Sequence, residues 1–86
     1  MLSITLLTAN KVIFEGNASK AIFPGEKGFF EIGFFHRPIV SRLLPGLTTI
    51  DDQNFLIRHG VVKVKNSRVI AMVELDVEAS SPNMRR

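Results

Sequence analysis

The sequence predicts an all-β fold built from short strands. β-Branched and aromatic residues recur in runs of about four to eight, and clusters of Gly, Pro, Asn and Asp break these runs at roughly ten-residue intervals. Apolar residues also alternate with polar ones inside the runs, which is the period of a pleated strand with one buried face.

The strands expected in order are Leu2–Thr8, Lys11–Glu15, Ala18–Phe23, Phe29–Phe34, Ile39–Leu44, Leu47–Ile50, Asn54–Arg58, Val61–Lys65 and Arg68–Leu75. The breakers between them are Glu15-Gly16-Asn17, Pro24-Gly25-Glu26-Lys27-Gly28, Pro45-Gly46, Asp51-Asp52-Gln53-Asn54 and Asn66-Ser67. In Ile39–Leu44, the residues Ile39, Val40, Leu43 and Leu44 also fit one helical face. The stretch between Pro38 and Pro45 is too short for a stable helix, so it is read as strand or extended chain. The clearest local unit is the last hairpin. Val62 and Val64 share one face, Lys63 and Lys65 the other, and Asn66-Ser67 turns the chain into Val69, Ala71, Val73 and Leu75. Lys63 and Lys65 then line either a solvent face or a partner-binding basic patch. Residues 1–76 form one expected domain, and 77–86, with Ser80-Ser81-Pro82-Asn83 and no apolar periodicity, an expected flexible tail.

The chain has 86 residues, 45% of them hydrophobic and 22% charged, which supports a single small core. Folding at this size removes roughly 60–65% of the unfolded surface from water, so a partner that buried more would add stability. The absence of cysteine excludes disulfide frameworks, thiol catalysis and Cys-ligated zinc. No apolar run approaches the ~20 residues of a membrane helix, and Met1-Leu2-Ser3-Ile4-Thr5 lacks the basic start and apolar centre of a secretion signal. A net charge of +3, with two of the cations at Arg85-Arg86, is too diffuse to imply nucleic acid.

A search for chemistry yields no catalytic residue, metal ligand or cofactor. His36 and His59 stand far apart without helical or Cys partners, and each suits a hydrogen-bonded structural role. Asp51-Asp52, followed by Gln53-Asn54, reads as a polar turn. The serines lack a nucleophile-elbow context, and Gly25-Glu26-Lys27-Gly28 lacks the helix and the Lys-Ser/Thr pair of a phosphate loop. What stands out is the segment Phe23–Pro38, which holds five of the seven Phe and three of the six Gly. One strand face can bury only one ring of Phe29-Phe30 and one of Phe34-Phe35. The other rings either meet a partner or tuck inward at a bulge.

At this segment the chain resembles the amino-terminal β-sandwich domain of the epsilon subunit of F-type ATP synthase. That family reads "V-F-x-G", then "L-P-G-x-x-G-x-F-G-V-L-P-G-H-A-P-L-V-T-x-L-x-P-G", then "G-G-F-x-E-V-x-x-N-x-V-x-V". Here stand Val12-Ile13-Phe14-Glu15-Gly16, then Phe23-Pro24-Gly25-Glu26-Lys27-Gly28, His36-Arg37-Pro38-Ile39-Val40 and Leu43-Leu44-Pro45-Gly46. His59-Gly60-Val61-Val62-Lys63-Val64-Lys65-Asn66-Ser67-Arg68-Val69 closes the series. The likeness spans about residues 2–75. Glu31, Phe34, Phe35 and Arg37 replace the family's Gly, Pro, Gly and Ala, and His59 replaces the first Gly of the late pair. Exchanging two Gly for residues that avoid positive φ implies a rebuilt turn.

The resemblance implies a flattened β-sandwich of two mostly antiparallel sheets with about eight to ten short strands, and a non-catalytic rotor subunit of the central stalk, beside the gamma subunit and against the membrane c-ring, helping to couple ion-driven rotation to ATP synthesis. It implies no cofactor, no nucleic acid, and a peripheral place on the cytoplasmic face of a bacterial inner membrane through the complex. Full-length members add a carboxyl-terminal helical hairpin, and the residues after Leu75 are too few to form it, so a short form without that brake is expected. The c-ring-facing residues implied are Glu26, Phe29, Glu31 and Phe34. The family's usual acidic residue falls at Phe29, and Glu31, two positions on, shares its strand face. The gamma-facing residues implied are Thr8, His36 and Ser41, with local hydrogen bonding as their other reading. The rival function is a free-standing β-barrel binding module, for single-stranded nucleic acid or protein, in which exposed Phe rings stack on bases. Salt-sensitive oligonucleotide binding would favour it. Against it, Glu31 rather than Lys or Arg interleaves the Phe residues.

Overall fold

A computed structural model describes residues 1–33 and 37–76. The expected positions of Phe34 and His36, and the tail 77–86, lie outside the described residues. The elements are β1 (Leu2–Leu7), β2 (Val12–Ala18), β3 (Ala21–Gly25), β4 (Gly28–Ile32), β5 (Ile39–Leu43), β6 (Gly46–Ile50), β7 (Gln53–Lys65) and β8 (Arg68–Leu75).

One hydrogen-bonded network runs β2-β1-β8-β7-β5-β3-β4, with β6 paired to both β3 and β7. It folds into two layers because β7 is long enough to serve both. Its second half, from Gly60 to Val64, pairs with β5 on one side and with β8 on the other. Its first half, Gln53 to Ile57, pairs with β6 instead. The first layer is therefore β2-β1-β8-β7-β5 and the second β7-β6-β3-β4. The Gly25–Leu43 bridge between β3 and β5 joins the layers again at a corner. All described pairings are antiparallel except β1 with β8.

The core follows from strand parity. Leu2, Ile4 and Leu6 of β1, Val62 and Val64 of β7, and Val69, Ala71 and Val73 of β8 point inward from the first layer. Ala21, Phe23, Ile32, Ile50 and Ile57 meet them from the second. Two ring pairs add to the packing: Phe14–Phe55, edge to face at 6.4 Å, and Phe23–Phe30 at 6.0 Å. Such pairs contribute about 1 kcal/mol each beyond their buried area. Among the described residues Thr48 is the one buried polar residue, and its hydroxyl finds no hydrogen-bond partner there.

Several boundaries differ from expectation. The strand expected to stop before Gly16-Asn17 continues to Ala18, because β1 holds Gly16 against Ile4 and Asn17 against Ser3. The turn falls at Ser19-Lys20 instead. There the Asp51 carboxylate accepts the Ser19 amide at 3.0 Å and the Lys20 amide at 3.2 Å, while the Asp51 amide donates to the Lys20 carbonyl. Asp51 adopts φ 52°, a left-handed conformation that Asp tolerates better than most residues.

The two strands expected at Asn54–Arg58 and Val61–Lys65 are one strand, β7, with a bulge between Ile57 and His59. Inward residues are odd-numbered before the bulge (Phe55, Ile57) and even-numbered after it (Val62, Val64). One extra residue thus keeps both halves facing the same core. Past the bulge, Gly60 lies so close to β8 that a Cβ there would stand 2.5 Å from the Met72 carbonyl oxygen and 2.9 Å from the Val73 Cα. The β7–β8 hairpin has the expected turn, with Asn66 and Ser67 both at positive φ, which matches the twist of the flanking strands.

Candidate functional site

Both layers carry apolar side chains on their outer faces. On the first layer, cross-strand pairing sets Val12, Leu7, Met72, Val61 and Arg42 in one row, and Glu15, Thr5, Ile70, Lys63 and Val40 in the next. Val12, Val40, Val61, Ile70 and Met72 are 44–70% exposed and lie in adjacent rows of one face, the kind of grouping that marks an interaction surface. At one end of this face a groove of about 770 Å³ opens between the Thr8–Lys11 turn and the β7 bulge, its walls including His59, Val61, Met72 and Glu74. His59 Nε2 contacts the Glu74 carboxylate at 2.6 Å, and Arg58 approaches the other oxygen at 3.9 Å.

Thr8 sits in this groove wall, but its hydroxyl is engaged locally, accepting the Asn10 and Lys11 amides at 3.2 Å each. Ser41 lies on β5, at the opposite edge of the first layer, and shares the inward parity of its partner Val62. It is half-buried and its hydroxyl donates to the Arg42 carbonyl at 3.1 Å. Thr8 and Ser41 therefore flank the bare face without meeting. Sequence reasoning missed the residues between them, Val61, Ile70 and Met72. Their outward placement on two adjacent strands was the available signal.

The second layer presents the β3–β4 hairpin. Gly28, at φ 112°, lets Glu26-Lys27 turn, and among the described residues β4 is an edge strand paired only with β3. Phe30 packs inward against Phe23, while Phe29 is 65% exposed and shares the outward face of β4 with Glu31. The expected splitting of the Phe29-Phe30 pair is what the structure shows. Leu47 and Leu56, paired across β6 and β7, extend this outer face. Glu26, in the turn, reaches Arg42 of β5 at 3.5 Å and so ties the hairpin to the edge of the first layer. Among the described residues no three His, Cys, Asp or Glu side chains group as metal ligands, and no helix is long and apolar enough to cross a membrane.

Two layers with little polar chemistry inside and apolar side chains exposed on both outer faces define a small β-sandwich domain. The chain belongs to the family of the ATP synthase delta/epsilon chain β-sandwich domain, whose model matches residues 1–78. It is 35% identical over 78 residues to the ATP synthase epsilon chain of Sulfurimonas denitrificans, covering 85% of this chain and 60% of that one. It is 31% identical to the epsilon chain of Nitratiruptor, with the same coverage. It thus spans about three-fifths of the length of these curated relatives. Its fold is shared with a chain in the central stalk and c-ring structure of the Tetrahymena thermophila mitochondrial ATP synthase, at a TM-score of 0.79 and 17% identity. That likeness covers 99% of this chain and 73% of the other. A chain from the Euglena gracilis mitochondrial ATP synthase gives 0.78 and 17%, over 94% and 59%.

Proposed function

We propose that this chain is the β-sandwich of a central-stalk rotor subunit of an F-type ATP synthase, non-catalytic itself, that joins the gamma subunit to the c-ring. The observation that carries the reading is the family match over residues 1–78 on a fold whose two outer faces are both bare. The outer face of the first layer, flanked by Thr8 and by the Ser41 strand, meets the gamma subunit. Burying its five exposed aliphatic residues supplies the hydrophobic part of that contact. The β3–β4 hairpin meets the c-ring through Glu26, Phe29 and Glu31, with Phe34 and His36 assigned to the same two contacts by resemblance alone. The complex would sit on the cytoplasmic face of a bacterial inner membrane, with this chain held there through its partners.

A pull-down of the tagged chain from its native membranes, analysed by mass spectrometry, tests the assignment. Recovery of the ATP synthase gamma and c subunits is expected. A chain that comes down alone, or with nucleic acid, would mean that the sandwich serves another assembly.

A further inference from the structure

At the hairpin end of the first layer's outer face, Lys65 and Arg68 are direct cross-strand partners across β7 and β8, and Lys63 stands one outward position before Lys65. All three are exposed, and none makes an ion pair or a side-chain hydrogen bond among the described residues. Like charges placed opposite each other on a sheet cost stability. The acidic residues that could relieve them are engaged or distant: Glu15 shares this outer face and the row of Lys63, but β1 and β8 stand between them. Glu74 is at the far end of β8 with His59 and Arg58, and Glu26 is held by Arg42. Lys63, Lys65, Asn66 and Arg68 instead surround a shallow hollow of about 390 Å³ with Ile70 in its wall. Ile70 begins the bare aliphatic surface that continues through Met72, Val61 and Val40.

We infer that Lys63, Lys65 and Arg68 form a docking ridge for an acidic segment of a protein partner, its carboxylates on the three cations and its apolar side chains on Ile70 and Val40. The inference deepens the gamma-facing reading of this surface and rests on it. An uncompensated basic trio beside an aliphatic strip is complementary to a segment that mixes Asp or Glu with apolar residues, and such charges steer association. Nucleic acid fits less well, because none of the described Phe rings lies on this face to stack a base. An anionic bilayer fits less well too, since basic patches that hold lipid surfaces generally gather about four to eight cations.

The test titrates the full chain against the isolated gamma subunit of the same ATP synthase, at low and at high salt. It compares the wild type with Lys63→Gln/Lys65→Gln/Arg68→Gln and with Val61→Asp, and thermal melts verify that each variant is folded. The triple variant should bind about tenfold more weakly at low salt, mainly through slower association, and the gap should close at high salt. Val61→Asp should weaken binding at both salt concentrations. A triple variant that matches the wild type while Val61→Asp still blocks binding overturns the ridge and leaves the gamma contact standing. Failure of the wild type to bind gamma at all overturns both. Capture of the wild type but not the triple variant by phosphatidylglycerol vesicles or oligo-dT also overturns the ridge in favour of those ligands.

Discussion

The carboxylate of Asp51, in the β6–β7 turn, accepts the backbone amide of Ser19, 32 residues earlier in the chain, at 3.0 Å, and so fixes where β2 ends and β3 begins. One side chain closes two turns at once. Asp51→Ala removes the acceptor and leaves a β-carbon in a left-handed turn, so a loss of about 2 kcal/mol is expected in chemical denaturation. Asp51→Gly relieves the conformational strain and removes only the acceptor, so it should cost less than Ala. Equal losses for the two would show that the backbone conformation contributes nothing.

Thr48 buries a hydroxyl without a partner among the described residues, at the centre of β6. Thr48→Val keeps the shape and removes the unsatisfied group, so it should raise stability by about 1 kcal/mol. An unchanged or lower melting temperature would indicate a hydrogen-bond partner for that hydroxyl.

Gly60 has no room for a side chain, because a Cβ would press on β8 backbone atoms rather than on a flexible tip. Backbone cannot yield cheaply, and Gly60→Ala should cost about 3 kcal/mol and disturb the β7–β8 ladder. Amide exchange of Val61 to Val64 should accelerate with it. A variant as stable as the wild type would show that the strands separate without cost.

Glu31 and Phe29 share one face of an edge strand, the first charged and the second largely exposed. If this face meets the c-ring, Glu31→Lys should weaken ring binding by about threefold to tenfold and Phe29→Ser by more, since rim charges contribute less than buried rings. Neither should alter the melting temperature much. Ring affinity unchanged in both would move the contact off β4.

The pairing of Phe29 with Glu31 and the β7–β8 hairpin were legible because they depend only on alternation and a two-residue turn. The Ser19-Lys20 turn was not, because its determinant is a carboxylate far along the chain, and Gly16-Asn17 looked like the better breaker. The sequence pattern divides β7 in two because the bulge at Arg58-His59 shifts the alternation by one residue, and a phase change resembles an end. Ser41 was placed by resemblance, and only the register with Val62 shows that it faces inward. The basic trio was half visible. Lys63 and Lys65 are neighbours in sequence, but Arg68 joins them only once the hairpin closes.

The bulge in β7 also bears on how this domain can vary in length. The turn at Thr8–Lys11 lies at the surface, where an extra residue costs little closure entropy. A residue added to or deleted from β7 between the bulge and Val62 would invert every side chain beyond the change, setting Val62 and Val64 toward solvent and Lys63 toward the core. Lineages of this domain should therefore differ by substitution along β7 and by insertion elsewhere, and a single-codon deletion at Val61 should be more damaging than the loss of Arg58, the extra residue of the bulge, or of several residues from a loop.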